Sequence, residues 1–199
     1  MAISAAPNHP MNPKTNLIIA ATTEWLEKIV IGLNLCPFAK AVHIKNQIRY
    51  VVSNANNCDA LLAELKRELC LLVAADPGQI ESTLLIHPDV LTDFVEYNEF
   101  LSDCDSAIED LELDGVIQIA SFHPQYQFAD TEVDDVTNYT NRSPYPTLHL
   151  LREESVTQAL QMFPDAAGIY EKNIATLRKL GKAKLDAIRM ALIQLESTN

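Results

Sequence analysis

Hydrophobic residues near the start of the chain recur every three or four positions. They are Ile18, Ala21, Trp25, Ile29 and Leu33. Because residues at this spacing share one face of a helix, the pattern predicts an amphipathic helix over about residues 15–34. Pro37 disfavours helical backbone at the residue before it, so we expect this helix to end near Leu35.

Alternating or short apolar runs farther along the chain predict four β-strands. The predicted strands are 47–53, 82–87, 116–122 and 147–151. Helical periodicity predicts four more helices, the first of which has Asn57 as its N-cap. The other three cover about residues 89–110, 154–163 and 165–196. Gly181 marks a point at which the last helix bends or divides.

The order of these elements indicates the fold class. Strands that are separated by helices favour right-handed βαβ units and a parallel sheet. The sequence therefore predicts an α/β fold in which a four-stranded, mostly parallel sheet is flanked by helices. The fourth strand follows a long loop and is free to run antiparallel. A two-layer ferredoxin-like α+β sandwich has the same number of elements and is the alternative.

Length and composition indicate one domain. The chain has 199 residues, 48% of them hydrophobic, and a chain of this size buries a large core without disulfides. Residues 1–14 are rich in proline, asparagine and alanine, so we expect a flexible N-terminal tail. Residues 15–199 are predicted to form a single α/β domain. The five glycines are scattered singly, so no nucleotide-binding loop is indicated and the cofactor is unknown.

Charge and targeting features limit the partners. A net charge of −12 repels phosphate backbones, so nucleic acid is not an expected partner. The first residues lack the pattern of a secretory signal, and no apolar run approaches the roughly 18 residues that cross a bilayer. The four cysteines form no close pair. We therefore expect a cytoplasmic protein with reduced thiols and no membrane partner.

Residues 122–152 hold the densest set of candidate functional groups. This segment contains two histidines, two arginines and four acidic residues between two apolar runs. Loops longer than about 12–15 residues without regular structure are usually functional or disordered. The aromatic residues and prolines here argue against disorder. The sequence therefore predicts that the functional site is built largely from this segment.

The two histidines of the segment are the leading candidates for chemistry. His123 follows the third strand, at the edge where open α/β sheets usually hold their sites, and is the predicted general acid or base. His149 lies in the fourth strand. If the two strands are neighbours in a suitable register, the imidazoles approach each other. The alternative for each is a buried histidine whose nitrogens are hydrogen-bonded within the core.

A stiff, proline-containing bend near residue 145 predicts an anion site. Arg142, with Asn141 and Ser143, is expected to bind the carboxylate or phosphate of a small anionic substrate. Arg152 is expected to reach the same anion. In the alternative interpretation, Arg142 pairs with one of the two adjacent aspartates at 134 and 135 and only fastens the loop.

Asp134, Asp135 and Cys36 have weaker signals. Asp135 or Asp134 is predicted to orient His123, to cap a helical turn or to bind magnesium, and a solvated acidic turn is the alternative. Cys36 lies just past the first helix. It is a candidate nucleophile only if a nearby arginine or histidine offsets the helix C-terminus, and packing in the core is the alternative.

Three stretches of the chain together resemble a known family. They are NLCPFA (34–39), SFHPQYQF (121–128) and NRSPYPTLHLLREESV (141–156). The combination is similar to a bacterial family catalogued only as domain of unknown function 1415, and the similarity extends from the first helix to about residue 181. The resemblance implies a single cytosolic domain and names no activity.

These observations give three hypotheses of different classes. The first is a small-molecule enzyme in which His123 transfers a proton, Asp135 orients it and Arg142 anchors an anionic substrate. The second is a metal- or haem-binding protein with His123 and His149 as ligands, helped by an aspartate or Cys36. The third is a non-catalytic interaction module. Convergence of His123, Arg142 and Asp135 in one pocket would favour the first.

Overall fold

The computed structural model describes residues 12–162 and 166–194, so most of the predicted tail lies outside the described residues. Helix α1, Pro13–Trp25, begins where Asn12 accepts a hydrogen bond from the Lys14 N–H. It continues directly as a π-helix, Leu26–Ile31. The wider π turn was not predicted, because a periodicity of 3.6 residues does not distinguish it from an α-helix over so few positions.

The other helices, apart from the one at Ala39–Ile44, follow the predicted order. They are α2 (Ala39–Ile44), α3 (Cys58–Ala74), α4 (Phe94–Asp110), a 3₁₀-helix (Val136–Thr140), α5 (Glu153–Met162), α6 (Ala166–Leu180) and α7 (Lys182–Gln194). Asn57 caps α3 by accepting from the Ala60 N–H, as predicted. Gly181 has a φ of 78° and separates α6 from α7, since glycine adopts this backbone conformation without strain. Helix α2 was not predicted.

The four strands form one mixed sheet. Strands β1 (Ile48–Val52), β2 (Ser82–Ile86), β3 (Ile117–Phe122) and β4 (Thr147–Arg152) lie in the order β1-β2-β4-β3. β1 and β2 are parallel, whereas β4 is antiparallel to both β2 and β3. The prediction of a mostly parallel sheet is therefore wrong. The long loop returns the chain to the edge where β2 and β3 end, and β4 runs back between them.

Hydrophobic clusters cover both faces of the sheet. On one face, α3 and α4 pack on the sheet through residues such as Leu65 and Tyr97. On the other, α1, the π-helix, α6 and α7 form a cluster that includes Trp25, Leu177 and Leu185. Helices on both faces give three layers, so the two-layer ferredoxin-like alternative is wrong. Within residues 12–162 and 166–194, no helix has both the length and the apolar character needed to span a membrane.

The register of β3 and β4 decides where the two histidines lie. Ala120 pairs with His149, and directly opposed residues of an antiparallel pair share a face. His149 therefore faces α1 and the π-helix. His123 follows the end of β3, and its ring lies 5.4 Å and 5.0 Å from the rings of Phe94 and Tyr97 of α4. The imidazoles lie on opposite faces, so the predicted approach of His123 to His149 is wrong.

Candidate functional site

His123 is a core histidine with both ring nitrogens in use. Its side chain is 0% exposed. Nδ1 accepts from the Gln125 N–H at 3.0 Å, so the ring proton is on Nε2, which donates to the Leu91 carbonyl at 3.2 Å. Burial lowers the pKa of His123 below its ordinary value of 6.5. A neutral imidazole with no free nitrogen does not fit the predicted role of general acid or base.

The predicted anion-binding bend uses most of its polar groups internally. Asn141 donates from Nδ2 to the Ser121 carbonyl at 3.1 Å, and the Ser143 hydroxyl donates to the Tyr145 carbonyl. Arg142 donates from Nε to the Tyr126 carbonyl and from Nη2 to the Val133 carbonyl. Arg142 therefore fastens the loop, but through carbonyls and not through either aspartate. Asn141 and Ser143 do not form a common anion site with it.

The two adjacent aspartates have separate structural roles. Asp135 caps the 3₁₀-helix, because its Oδ1 accepts from the N–H and the hydroxyl of Thr137. Asp134 accepts from Lys182 Nζ at 2.6 Å on the surface. These bonds lower the pKa of both carboxyls. The ring nitrogens of His123 bond to Leu91 and Gln125 and to neither aspartate, so the predicted orienting role is not formed. The cavity that Arg142 lines includes neither His123 nor Asp135.

Arg152 lies at the far end of β4 from the proline-containing bend, about 17 Å along the strand from Thr147. Its Nη2 is 2.6–3.1 Å from the carbonyl oxygens of Leu72, Ala75 and Ile80. A guanidinium in this position satisfies carbonyls at the C-terminus of α3 and complements the helix dipole. Arg152 therefore cannot bind the same anion as Arg142, contrary to the prediction.

The role of Arg152 gives a stability prediction. Arg152→Met leaves these carbonyls without their donor, and we expect it to lower the free energy of unfolding by about 2 kcal/mol. Urea unfolding followed by circular dichroism measures the change. Arg67→Met is the matched control, because the Arg67 side chain is 68% exposed, and its expected cost is under about 0.5 kcal/mol. Equal stability of the two variants would contradict the capping role.

A cavity of about 400 Å³ lies between the sheet and the first helices. We call it the sheet cavity. Its walls are mainly apolar side chains from α1, the π-helix, α2, α5 and the face of the sheet that His149 occupies. They include Trp25, Leu26, Val30, Val42, Phe122, Leu151 and Val156. Volume and composition are those of small-molecule sites, which are mostly apolar with a few placed polar groups.

Three buried nitrogens belong to side chains that line the sheet cavity. They are Trp25 Nε1, His149 Nε2 and Arg152 Nε. None of them has a hydrogen-bond partner within the part of the chain that the structure describes. A buried polar atom without a partner costs about 1–3 kcal/mol, and such atoms require an explanation when they occur in a group. Here all three belong to residues that line one concave, mainly apolar surface, whose other polar side chains are those of Glu81, Ser82, Gln118 and Ser155.

His149 is one of the polar residues that line the sheet cavity. Its ring projects from the middle of β4, with the Phe122 ring centroid 6.2 Å away. Burial among apolar side chains lowers the pKa of His149 to about 4, because the charged form loses its hydration. At neutral pH the ring is therefore uncharged, and a lone pair or a single N–H is available to a ligand.

Cys36 also lines the sheet cavity and is half-buried. Cys36, His149 and Arg152 thus line one cavity. The metal-binding hypothesis grouped Cys36 with His149, whereas Arg152 was expected at the anion site of Arg142. Among the described residues, no set of three or more His, Cys, Asp or Glu side chains is arranged to hold a metal ion.

A second cavity of about 400 Å³ lies at the edge of the sheet where β3 ends. We call it the arginine cavity, because Arg142 and Arg189 both line it, together with Asp93, Gln125, Gln127 and Asp134. Arg189 was not predicted as a site residue. It lies on α7, and only the packing of that helix brings it to the loop, so periodicity and local motifs carried no signal for it.

Comparison with known proteins gives a family and no activity. Residues 17–187 match the family model described as "Protein of unknown function (DUF1415)". No curated protein matches the chain, and no solved structure matches it. The family model covers well over half of the sequence, in agreement with the resemblance of the three motifs. The chain therefore belongs to the DUF1415 family of proteins of unknown function.

Proposed function

We propose that the protein binds a small, largely apolar molecule in the sheet cavity. The observation that carries the proposal is the set of three partnerless buried nitrogens, on Trp25, His149 and Arg152, around one apolar cavity. The indole and guanidinium nitrogens are donors only. The ligand is therefore expected to carry one or more hydrogen-bond acceptors on an apolar body that packs against side chains such as Phe122.

The same geometry favours binding over proton transfer. An efficient general base has a pKa near the working pH, whereas the pKa of His149 is about 4. His149 is therefore proposed as a neutral hydrogen-bonding anchor. His123, the base expected from the sequence, has no nitrogen available. If the sheet cavity is an active site, the base must be His149 and not His123. The charge of the bound ligand would then have to raise the pKa of His149.

Haem binding is the second candidate, because a neutral imidazole with a partnerless Nε2 in an apolar cavity suits an axial ligand. His149 would be the ligand, and His123 would not contribute, since it lies on the other face. The absorption spectrum of the protein as purified separates the two candidates. A Soret band that disappears in His149→Phe would favour haem, and its absence in haem-supplemented preparations would exclude it.

Filling the sheet cavity tests the main proposal. Ala159 lines it from α5, so Ala159→Phe inserts a ring into the ligand volume. We expect this variant to bind the fluorescent probe 1-anilinonaphthalene-8-sulfonate at least about tenfold more weakly than the unchanged protein, a loss of about 1.4 kcal/mol. The probe has an apolar body and a sulfonate acceptor, as the cavity requires. The measurement is a fluorescence titration.

Thr157→Phe is the matched control for that titration. Thr157 lies on the same helix and is exposed, so the added ring meets solvent and should not change the affinity of the cavity. Circular dichroism confirms that both variants remain folded. Equal affinity of Ala159→Phe and the unchanged protein would mean that the probe binds elsewhere, and absence of saturable binding to the unchanged protein would count against the proposal itself.

We also propose a cytoplasmic location and a small-molecule partner in place of nucleic acid. The four cysteines are unpaired, which fits a reducing compartment. The net charge of −12 opposes nucleic acid binding.

A further inference from the structure

We propose that the arginine cavity is a second binding site, for a small dianion such as a phosphate monoester or a dicarboxylate. The ligand would be held between the guanidinium groups of Arg142 and Arg189. This site lies at the edge of the sheet where β3 ends. The proposal does not depend on the function proposed for the sheet cavity.

The first support is the state of the two guanidinium groups. Arg142 is 7% exposed, its Nε and Nη2 donate to neutral carbonyls, and its Cζ lies 4.9 Å from the centroid of the Tyr139 ring. Arg189 has a buried Nε without a partner among the described residues. Neither arginine forms an ion pair within residues 12–162 and 166–194. The cavity is also lined by the carboxylates of Asp93 and Asp134, and two arginines that share a cavity with carboxylates without forming an ion pair to them are an unusual arrangement.

The second support is that the nearby carboxylates already have other partners. Asp134 is paired with Lys182. Asp93 accepts from the Val95 and Glu96 N–H groups at the N-terminus of α4. Asp186, one turn from Arg189 on α7, accepts from the Tyr139 hydroxyl. Each of these carboxylates thus has a hydrogen-bond donor other than the two arginines, although only Asp134 is paired with a cation, and the donors to Asp93 and Asp186 are neutral groups.

The third support is the electrostatic strain between the arginines. Burial, and after it the charge of Arg142, lowers the pKa of Arg189, whereas Tyr139 and Asp186 act in the opposite direction. A dianion between the groups would remove that repulsion. Planar guanidinium groups match the oxygens of phosphates and carboxylates in a bidentate manner. The cavity, about 400 Å³, has space for an organic body on the anionic group, with the Gln125 and Gln127 side chains on its wall.

The ligand class follows from charge and size together. Each guanidinium group can bind one anionic group, so a dianion engages both arginines and a monoanion engages only one. A protein with a net charge of −12 repels anions at long range, so saturable binding requires a local site of this kind. We therefore expect inorganic phosphate or succinate to bind more tightly than acetate at the same ionic strength.

Isothermal titration calorimetry with inorganic phosphate and with succinate, at pH 7.5 and constant ionic strength, tests the site. We expect saturable binding of at least one of the two, and the one that binds identifies the ligand as phosphate or dicarboxylate. Arg189→Gln should weaken that binding at least about tenfold, and Arg189→Lys should weaken it less, because lysine keeps the charge but not the planar fork. Arg189 has no ion pair to lose, so the fold should be retained.

Lys184→Gln is the matched control. Lys184 is an exposed cation on the same helix, so its replacement changes the net charge equally without touching the cavity, and the affinity should stay the same. Ala159→Phe should also leave phosphate or succinate binding unchanged. If neither probe binds saturably, or if Lys184→Gln weakens binding as much as Arg189→Gln, the site does not exist and the effect is one of overall charge.

Discussion

When the pH is lowered to about 4, the free energy of unfolding is expected to fall by about 3 kcal/mol less in His149→Phe than in the unchanged protein. The folded chain holds the pKa of His149 at about 4, against an ordinary value of 6.5. As the pH falls below 6.5, the unfolded chain takes up a proton here that the folded chain does not accept until about pH 4. Stability from this group is thus complete above pH 6.5 and declines as the pH falls to about 4. The difference between the ordinary pKa of 6.5 and the value of about 4 in the folded chain corresponds to about 3 kcal/mol of unfolding free energy.

The measurement is urea unfolding at several pH values from 7.5 down to about 5. By pH 5, we expect the unchanged protein to have lost about 2 kcal/mol through His149. In His149→Phe that part of the loss should be absent, because phenylalanine keeps the ring and does not titrate. His87, whose pKa burial also lowers to about 4, contributes equally to both proteins and cancels in the difference. Identical pH profiles would show that His149 is not desolvated as described.

His149→Phe should also weaken the binding of a ligand in the sheet cavity. The phenyl ring supplies no lone pair and no N–H, so the anchor proposed for the ligand is lost while the apolar walls remain. We expect the affinity for 1-anilinonaphthalene-8-sulfonate to fall by about tenfold at pH 7.5, the scale of one lost hydrogen bond in a buried site. If the stability of His149→Phe loses the pH dependence but its affinity for the probe is unchanged, the burial of His149 is confirmed and its role in binding is refuted.

His123→Ala is expected to destabilise the protein by about 3 kcal/mol without removing a reactive group. The substitution takes a buried ring from between Phe94 and Tyr97 and leaves the Leu91 carbonyl and the Gln125 N–H without their partner. A cavity in the core and unpaired backbone groups together cost this much. Thermal and urea unfolding measure the loss.

The control for this variant is His43→Ala. The His43 side chain is 25% exposed and contacts only Glu27 among the described charged groups, so its removal should cost under about 0.5 kcal/mol. At a temperature where His123→Ala remains folded, this variant should bind 1-anilinonaphthalene-8-sulfonate with the same affinity as the unchanged protein. Near-native stability together with lost ligand binding would instead make His123 part of a functional site, as the sequence suggested.

The sequence predicted all four strands and most of the helices, but not the direction in which β4 runs or which side chains meet. Asn57 and Gly181 marked a helix start and a helix break correctly, because capping and left-handed backbone are local properties of those residues. The direction of β4 was left open, since nothing local determines how a strand after a long loop enters a sheet. Pairing with β2 and β3 on both sides decided it.

The site was predicted poorly because it depends on register and on distant contacts. A shift of one residue moves every side chain of a strand to the other face, and the pairing of Ala120 with His149 put His149 away from His123. Arg142 was identified as an unusual residue, yet its companion Arg189 lies 47 positions later, on α7. Many polar groups of residues 122–152 form the hydrogen bonds that hold the long loop together, such as those of Asn138 and Arg142.

The most direct test of the sheet cavity is the nitrogen-15 NMR spectrum of the histidine rings during titration with 1-anilinonaphthalene-8-sulfonate. Single-histidine variants assign the signals. We predict that the ring nitrogens of His149 shift as the probe saturates, while those of His87 and His123, on the other face of the sheet, do not. Signals of His149 that stay unchanged at saturating probe would contradict the assignment of this cavity as the binding site.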